Sequence, residues 1–423
     1  MLYGLYNAAL SLAAPFVAAW LAAIPRHRPL LHRFDPPLPN LPRRPVWIHA
    51  CSVGEINTAR PLVRAIQSRW GNLPLLLTVS TTTGYCLAAR TLGDVPLAWF
   101  PFDHPIIVGR FLRRFDPVTL VLMETEVWPN VVRQAYWRHI PVAIVNGRIS
   151  DKHFRRYQHL GAFVKEMFGL IQAAGVQNEV YAERMHHLGV SAPAVHLTGN
   201  LKFDGVPMEV NPEAVSRVFE ETGIARNGPV VVFGSTRPGD EALAARCWRH
   251  LRNEFPRAAL VVVPRHVSRA GEVARLFAEP VVRRTEARDR PPGSEARVLV
   301  LDTVGELPLL YAAAAVAVVG GSFYPGVDGH NPLEAAALGI PAVFGPFMRN
   351  FLDPARILVE AGGAIQVSGP TELLPVLKGL LADQDARQAM GQHAREAVRS
   401  QQGAIDLTLD MLGGMLRLGR TMH

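Results

Sequence analysis

Three cysteines in 423 residues are too few for a disulfide framework, and Cys51, Cys86 and Cys247 lack metal-ligand spacing. A reducing compartment fits that scarcity better than an oxidising one. Charge is also sparse, at 19% of residues, with 36 acidic side chains against 44 Lys and Arg for a net +8. The excess suits anionic partners such as acidic lipid or phosphorylated substrates, although a merely soluble basic surface has the same composition. No basic block is interleaved with aromatics, so nucleic acid is not expected as a partner. The Gly-Lys-Ser/Thr ending of a Walker loop, the Rossmann glycine fingerprint and any short-period repeat are also missing. The one Asp-x-Asp, Asp383-Gln384-Asp385, falls in a helical region and follows no strand, so no metal site is expected.

Residues Met1 to Ile24 carry no charge at all and are rich in Leu, Ala, Phe, Tyr and Trp. Such a run can cross a bilayer or lie within one leaflet, and a buried first helix would read the same way. Arg26, Arg28, Arg33, Arg43 and Arg44 follow, opposed by Asp35, and would hold the next segment on the cytoplasmic side. Nothing basic precedes the run, which argues against a cleaved signal peptide. Pro15 predicts a tilt or kink.

The length suits two domains. Short, near-continuous apolar runs recur at Val46–Ala50, Leu75–Ser80, Val118–Met123, Val142–Asn146, Leu170–Ala174 and Val195–Thr198. They recur again at Val230–Phe233, Ala259–Val263, Val298–Leu301, Ala315–Val319, Pro341–Phe344 and Ala364–Val367. Runs of this kind predict parallel strands covered on both faces, with helices such as Thr58–Trp70 and Thr83–Leu92 between them. The expected division is an anchor over 1–25, a first α/β domain over 40–205, a linker over 206–228 and a second α/β domain over 229–423. The C-terminal helix of the second domain is free to cross back to the first. The polar stretch Arg283–Ala296 reads as a surface loop. Two doubly wound halves predict ligands at the carboxyl ends of their strands, between the halves.

Several strand ends carry candidate chemistry. Ser52-Val53-Gly54-Glu55 follows the first strand and opens a helix. Glu55 can take a proton from an attacking hydroxyl, in a charged form that the helix end favours. A capping carboxylate that only stabilises the helix fits the same position. Glu124-Thr125-Glu126-Val127-Trp128-Pro129 places two carboxylates close together after a very apolar strand; this is costly unless cations or hydroxyls partner them. Ser235-Thr236-Arg237 follows another strand and offers donors to a phosphate, and Gly234 permits close backbone approach. Lys202, and Arg265 with His266, can meet a carboxylate or phosphate. In Gly329-His330-Asn331-Pro332-Leu333-Glu334, Asn331 can cap a helix that starts at Pro332 and aims N–H groups at an anion; an ordinary connection with good capping reads the same.

In this order the motifs resemble the 3-deoxy-D-manno-octulosonic acid (Kdo) transferases of lipid A assembly. The likeness spans nearly the whole chain, through Gly199-Asn200-Leu201-Lys202-Phe203-Asp204, Pro264-Arg265-His266 and Asp302-Thr303-Val304-Gly305-Glu306-Leu307. It implies a GT-B fold, with two Rossmann-like domains facing a central cleft behind an N-terminal membrane-anchor helix. It further implies inverting transfer of Kdo from CMP-Kdo to a lipid A precursor at the cytoplasmic face of the inner membrane, with no cofactor and no metal in the transfer step. Glu55 matches the general base, and Ser52, Gly54, Glu124 and Glu126 match the acceptor side. Lys202, Ser235, Thr236, Arg237, Arg265, His266, Gly305, Glu306, Asn331 and Glu334 match the donor side. Many members carry Ser-Thr-His-Glu where this chain reads Ser235-Thr236-Arg237-Pro238, so Arg237 replaces a histidine donor. The stretch between the anchor and His49 is shorter and richer in proline than the family pattern. The alternatives are another GT-B enzyme, such as a nucleotide-sugar epimerase, and a membrane-tethered protein that binds anionic lipid.

Overall fold

The apolar runs fold as strands because both of their faces are covered. A computed structural model describes residues 2–41, 44–224, 226–289 and 296–421. The chain divides into two compact units, one of Met1–Gly205 with Gln401–His423 and one of Val206–Ser400.

In the first unit the strands are β1 (Val46–His49), β2 (Leu75–Val79), β3 (Leu97–Trp99), β4 (Thr119–Met123), β5 (Val142–Gly147), β6 (Ala173–Val176) and β7 (Val195–Leu197). Among the described residues they form one parallel sheet in the order β3-β2-β1-β4-β5-β6-β7. Successive residues serve opposite faces. Trp47, Leu76, Leu120, Leu122 and Ile144 enter one core, while Val46, Ile48, Leu77, Val121 and Val145 enter the other. The second core is closed by the C-terminal helix Ala404–Thr421, through Ala404, Leu409, Leu412 and Met415.

The second unit repeats the plan with β8 (Val230–Thr236), β9 (Ala259–Pro264), β10 (Val281–Arg283), β11 (Val298–Val300), β12 (Val316–Val319), β13 (Ala342–Phe344) and β14 (Ala364–Gln366). Its parallel order is β10-β11-β9-β8-β12-β13-β14. Val231, Phe233, Leu260 and Val318 face one core, and Val232, Val261, Leu299 and Ala317 the other. The strand order reverses between β1 and β4 in the first sheet and between β8 and β12 in the second, where β11 also lies between β10 and β9. Helices on both faces leave a crevice at the strand carboxyl ends there.

The structure differs from the sequence reading in several places. Residues 206–228, expected as a linker, contain the helix Pro212–Thr222, which is capped by Asn211 and belongs to the second unit. Residues 401–423 group with the first unit, the crossing back that the sequence leaves open. The strand expected over Leu170–Ala174 lies at Ala173–Val176, because residues 162–168 continue a helix. β3 and β10, three residues each, were not among the expected runs; Pro96 and Pro101 bound the first, and Pro280 and Arg284 the second. The expected loop Arg283–Ala296 contains a 3-10 turn over Arg284–Asp289, and Ala296 is buried; 290–295 and Arg43 lie outside the described residues. Pro15 sits inside a single helix, Leu2–Ala23, which is long and apolar enough to cross a membrane.

Candidate active site

In the first unit the chemistry gathers at the β1/β4 reversal. Ser52 caps the helix Val53–Arg69 that follows β1, and Glu55 lies in its first turn. The Glu55 carboxylate folds back to accept from the Cys51 backbone N–H at 2.8 Å and from Ser52 Oγ at 3.1 Å. Ser52 Oγ in turn accepts from Glu55 N at 3.5 Å, a variant of the capping box in which the Cys51 N–H stands in for that of the cap residue. Gly54 does not need to be glycine for packing, since a Cβ there would meet nothing closer than Ser52 Oγ at 3.8 Å.

The paired β4 brings Glu124 and Glu126 to the same edge. Glu124 has φ +53 and pairs with Arg148 at 2.9 Å. Glu126 accepts from Trp128 Nε1 at 3.1 Å. One ligand atom from each of Cys51, Glu55 and Glu126 lies within 4.8 Å of the others. Burial and then the two carboxylates push the Cys51 thiol up to about 12, so near neutral pH it is a protonated S–H that donates to Glu126. Three ligand atoms do not complete a closed metal site.

Glu55 is 8% exposed. Burial, opposed by the Cys51 N–H and reinforced by Glu124 and Glu126, pushes its carboxyl up to about 8. The helix end was expected to keep it charged. Loss of water and two like charges outweigh the partial charge of one helix terminus. Burial raises Glu126 as well.

Arg33 is the counter-charge that sequence reading did not assign to this site. It reaches back from the 3-10 turn Pro25–Arg33, donates Nε to the Phe100 carbonyl at 3.1 Å and stacks over Trp128 at 5.7 Å. Its Nη2 is buried without a hydrogen-bond partner. Asp103 was also missed. It is 1% exposed and accepts from the N–H groups of Asn130 and Val131, which fixes the helix Pro129–Trp137 behind Glu126. Its place just before a His104-Pro105 helix start was a signal in the sequence; the long-range reach of Arg33 left none.

Lys202 lies in the first unit, in the turn after β7, where Asn146 Oδ1 accepts from Leu201 N and Asp204 caps the C-terminal helix. The other donor-side candidates are in the second unit. Ser235 ends β8 at φ +55, and Thr236 donates its hydroxyl to Glu241. Asp240, pushed up to about 6 by burial, accepts from the N–H groups of Arg237 and Gly321 and so ties the loop after β8 to the loop after β12. Glycines are required here. A Cβ at Gly320 would stand 2.6 Å from the Ser235 carbonyl, and one at Gly234 would stand 1.8 Å from the Tyr311 hydroxyl.

Arg237 donates Nε to His330 Nε2 at 3.3 Å and Nη1 to His266 Nε2 at 2.8 Å. Burial and neighbouring arginines lower both histidines, His330 to about 4, so both are neutral acceptors at pH 7. Arg265 and Arg269 complete the cationic group. Arg269 escaped the sequence reading, and Asp240, Glu241 and His330 stood in the candidate segments without a role, although the two acids stand in a helix's first turn.

Two donor-side expectations change. The helix after Asn331 spans only Leu333–Ala336, capped by Asn331 Oδ1 on Leu333 N. One turn has too small a dipole to hold an anion. Glu334 is half-buried, its carboxyl raised by loss of water around it. Glu306 is occupied by Arg284 at 3.1 Å and by Thr303, and Arg284 also pairs with Glu221 of the helix Pro212–Thr222. Gly305, at φ +100, supplies the turn before it.

Two Rossmann-like units, each with its polar loops at the reversal point of a parallel sheet, define a GT-B protein. The same fold is seen in UDP-GlcNAc 2-epimerase from Neisseria meningitidis, at TM-score 0.59 and 14% identity over 87% of this chain and 99% of that one. The family described as "3-Deoxy-D-manno-octulosonic-acid transferase (kdotransferase)" matches residues 26–205. The chain is 38% identical to 3-deoxy-D-manno-octulosonic acid transferase of Bordetella pertussis over 379 residues, 87% of this chain and 86% of the relative. It is 32% identical to that of Haemophilus influenzae over 377 residues, 88% and 87% of the two chains. The chain belongs to the Kdo transferase family and is a glycosyltransferase of lipopolysaccharide assembly.

Proposed function

We propose that this chain moves Kdo from CMP-Kdo to a hydroxyl of a lipid A precursor, with Glu55 as the general base. The observation that carries the assignment is a carboxylate at the β1/β4 reversal whose proton affinity burial and two neighbouring acids raise to about 8. A base of that strength takes a hydroxyl proton more readily than an ordinary carboxylate. Its two oxygens are held differently. Oε2 is fixed by a backbone N–H, and Oε1 by the rotatable Ser52 hydroxyl. Oε1 is therefore the atom that can exchange its partner for an acceptor hydroxyl while the cap stays in place. Arg33 favours the charged form of Glu126, against the burial that raises its carboxyl.

The donor side follows from the chemistry of CMP-Kdo, which carries a phosphate and a sugar carboxylate. Arg237 and Arg265, with Arg237 held by two neutral histidines, suit those anions. CMP leaves as a stable anion, which cationic side chains stabilise as the bond to Kdo breaks. Attack by the acceptor oxygen on the opposite side of the anomeric carbon inverts its configuration. The apolar N-terminal helix and the exposed Arg26 and Arg28 hold the enzyme at the cytoplasmic face of the inner membrane.

Incubating the full chain with CMP-Kdo and a defined lipid A precursor tests this reading. The expected result is CMP release matched by a gain of Kdo mass on the lipid. CMP release without lipid gain would mark a donor hydrolase and reject the proposal.

A further inference from the structure

The helix Leu2–Ala23 has the length and hydropathy of a membrane span, yet it does not stand away from the fold. Its less exposed residues are 3, 7, 10, 14, 17 and 21, in alternating steps of four and three, with 6 and 18 beside them. That is one continuous stripe facing the first unit. The contacts along its first turns are polar and specific. Tyr3 donates its hydroxyl to Asn130 Oδ1, and Tyr6 donates to Asp103 at 2.7 Å. Asn130 Nδ2 donates to Asn7 Oδ1 at 2.7 Å, and Ser11 Oγ lies 3.1 Å from His104 Nε2. The Arg133 guanidinium covers the Tyr3 ring at 4.1 Å. At the other end Leu21 is buried, and Arg28 Nε donates to the Ala22 carbonyl at 3.0 Å.

The opposite face is bare and apolar. Leu5, Leu12, Phe16 and Trp20 are 59%, 72%, 77% and 56% exposed. Trp137 of the docked helix, 58% exposed, adds to this surface. A groove of about 460 Å³ beside it is lined by Tyr3, Asn7, Pro105, Gln134, Trp137 and Arg138. Arg138 supplies positive charge at the groove, where Arg133 is paired with Glu166, and the exposed Arg26 and Arg28 supply it at the other end of the helix. Apolar side chains beside arginines match the acyl and headgroup levels of an anionic leaflet.

A helix of 22 residues is about 33 Å long, scarcely more than the roughly 30 Å hydrocarbon core. Tyr3, Tyr6, Asn7 and Ser11 hold its first turns on the first unit, and its last turns lie against the 3-10 turn Pro25–Arg33. The residues beyond Ser11 are about 18 Å long, too short to cross that core alone. We infer that Leu2–Ala23 is an in-plane helix, docked on the first unit by one face and sunk by the other into a single leaflet of an anionic bilayer. This rests on the membrane-surface reading above and departs from the transmembrane anchor its composition suggests. The Tyr6–Asp103–Asn130 bonds then tie lipid engagement to the helix that carries Trp128 and backs Glu126.

The test is cross-linking of the full chain in native membranes, in a Cys86→Ser background. Ser11→Cys with His104→Cys is treated with a short bis-maleimide. A spanning helix would carry residue 11 to mid-bilayer, roughly 15 Å from the aqueous domain. The expected result is an intramolecular link in most molecules; its absence in membranes would overturn the docking. Leu12→Ser with Phe16→Ser is expected to keep the link and lose at least about tenfold in flotation with phosphatidylglycerol vesicles. Unchanged flotation would overturn the lipid-facing assignment. Transfer activity, measured in the same membranes, reports separately on the proposed reaction.

Discussion

Glu55→Gln separates two roles that overlap in one side chain. Gln keeps the shape and can still accept from the Cys51 N–H, so the helix cap survives. It cannot take a proton. If Glu55 is the base, transfer falls about 10²–10⁴-fold, or roughly 3–5 kcal/mol of barrier. Stability moves the other way. The carboxyl rises from 4.5 to about 8 on folding, so between those values the folded state holds a proton the unfolded chain has released. Stability therefore falls as pH rises from 4.5 to about 8 and stays reduced above it. The shift corresponds to a ceiling of about 5 kcal/mol, and about 1–3 kcal/mol is a realistic share after local relaxation. At pH 9 the variant should thus unfold at higher denaturant than the native chain while transferring far more slowly. The assay is CMP release against pH beside denaturant melts at pH 5 and pH 9. The native chain should show a rate limb that rises towards a plateau above about 8, absent from the variant. Transfer within a few-fold of native, or a stability loss at pH 9, would leave Glu55 as a cap only.

Other perturbations test neighbouring parts. Glu126→Gln removes a like charge from beside Glu55, so the rate limb should move to lower pH; a limb that stays in place would show the two acids are not coupled. Asp103→Asn loses one of two helix-end acceptor oxygens and is expected to cost about 1–3 kcal/mol in denaturant melts. Gly234→Ala drives a methyl into the Tyr311 hydroxyl and should destabilise by about 2–3 kcal/mol or more, partly relieved by Tyr311→Phe. Arg237→Ala should raise the KM for CMP-Kdo about 10–100-fold with a smaller change in kcat, measured at saturating acceptor.

Much of the architecture was legible because burial on both faces leaves a local mark. A parallel strand such as Thr119–Met123 is apolar at nearly every position, and Ser52 announces its helix by capping, whereas the helix that Asn211 caps reads as a linker because of its prolines and charges. Leu97–Trp99 and Val281–Arg283 did not read as strands, since Pro96 and Pro101 bound the first and Pro280 and Arg284 the second, and their place in the sheet comes from pairing. The family motifs marked Glu55, Glu124, Glu126, Ser235 and Arg237 as candidates. They did not mark Arg33, Asp103 or Asp240 as the groups that hold those segments in place, because those contacts join distant parts of the chain.

The sequence by itself determined the alternation of strands and helices, the family, and the apolar character of the first helix, because each is written in neighbouring residues. Only the tertiary structure decided that β1 and β4 lie side by side, which places Glu55 against Glu126 and raises its proton affinity. It likewise decided that the C-terminal helix closes the first core and that the N-terminal helix lies along the first unit. Proton affinity and docking depend on what surrounds a group, and strand order and burial assemble those surroundings from residues far apart in the chain.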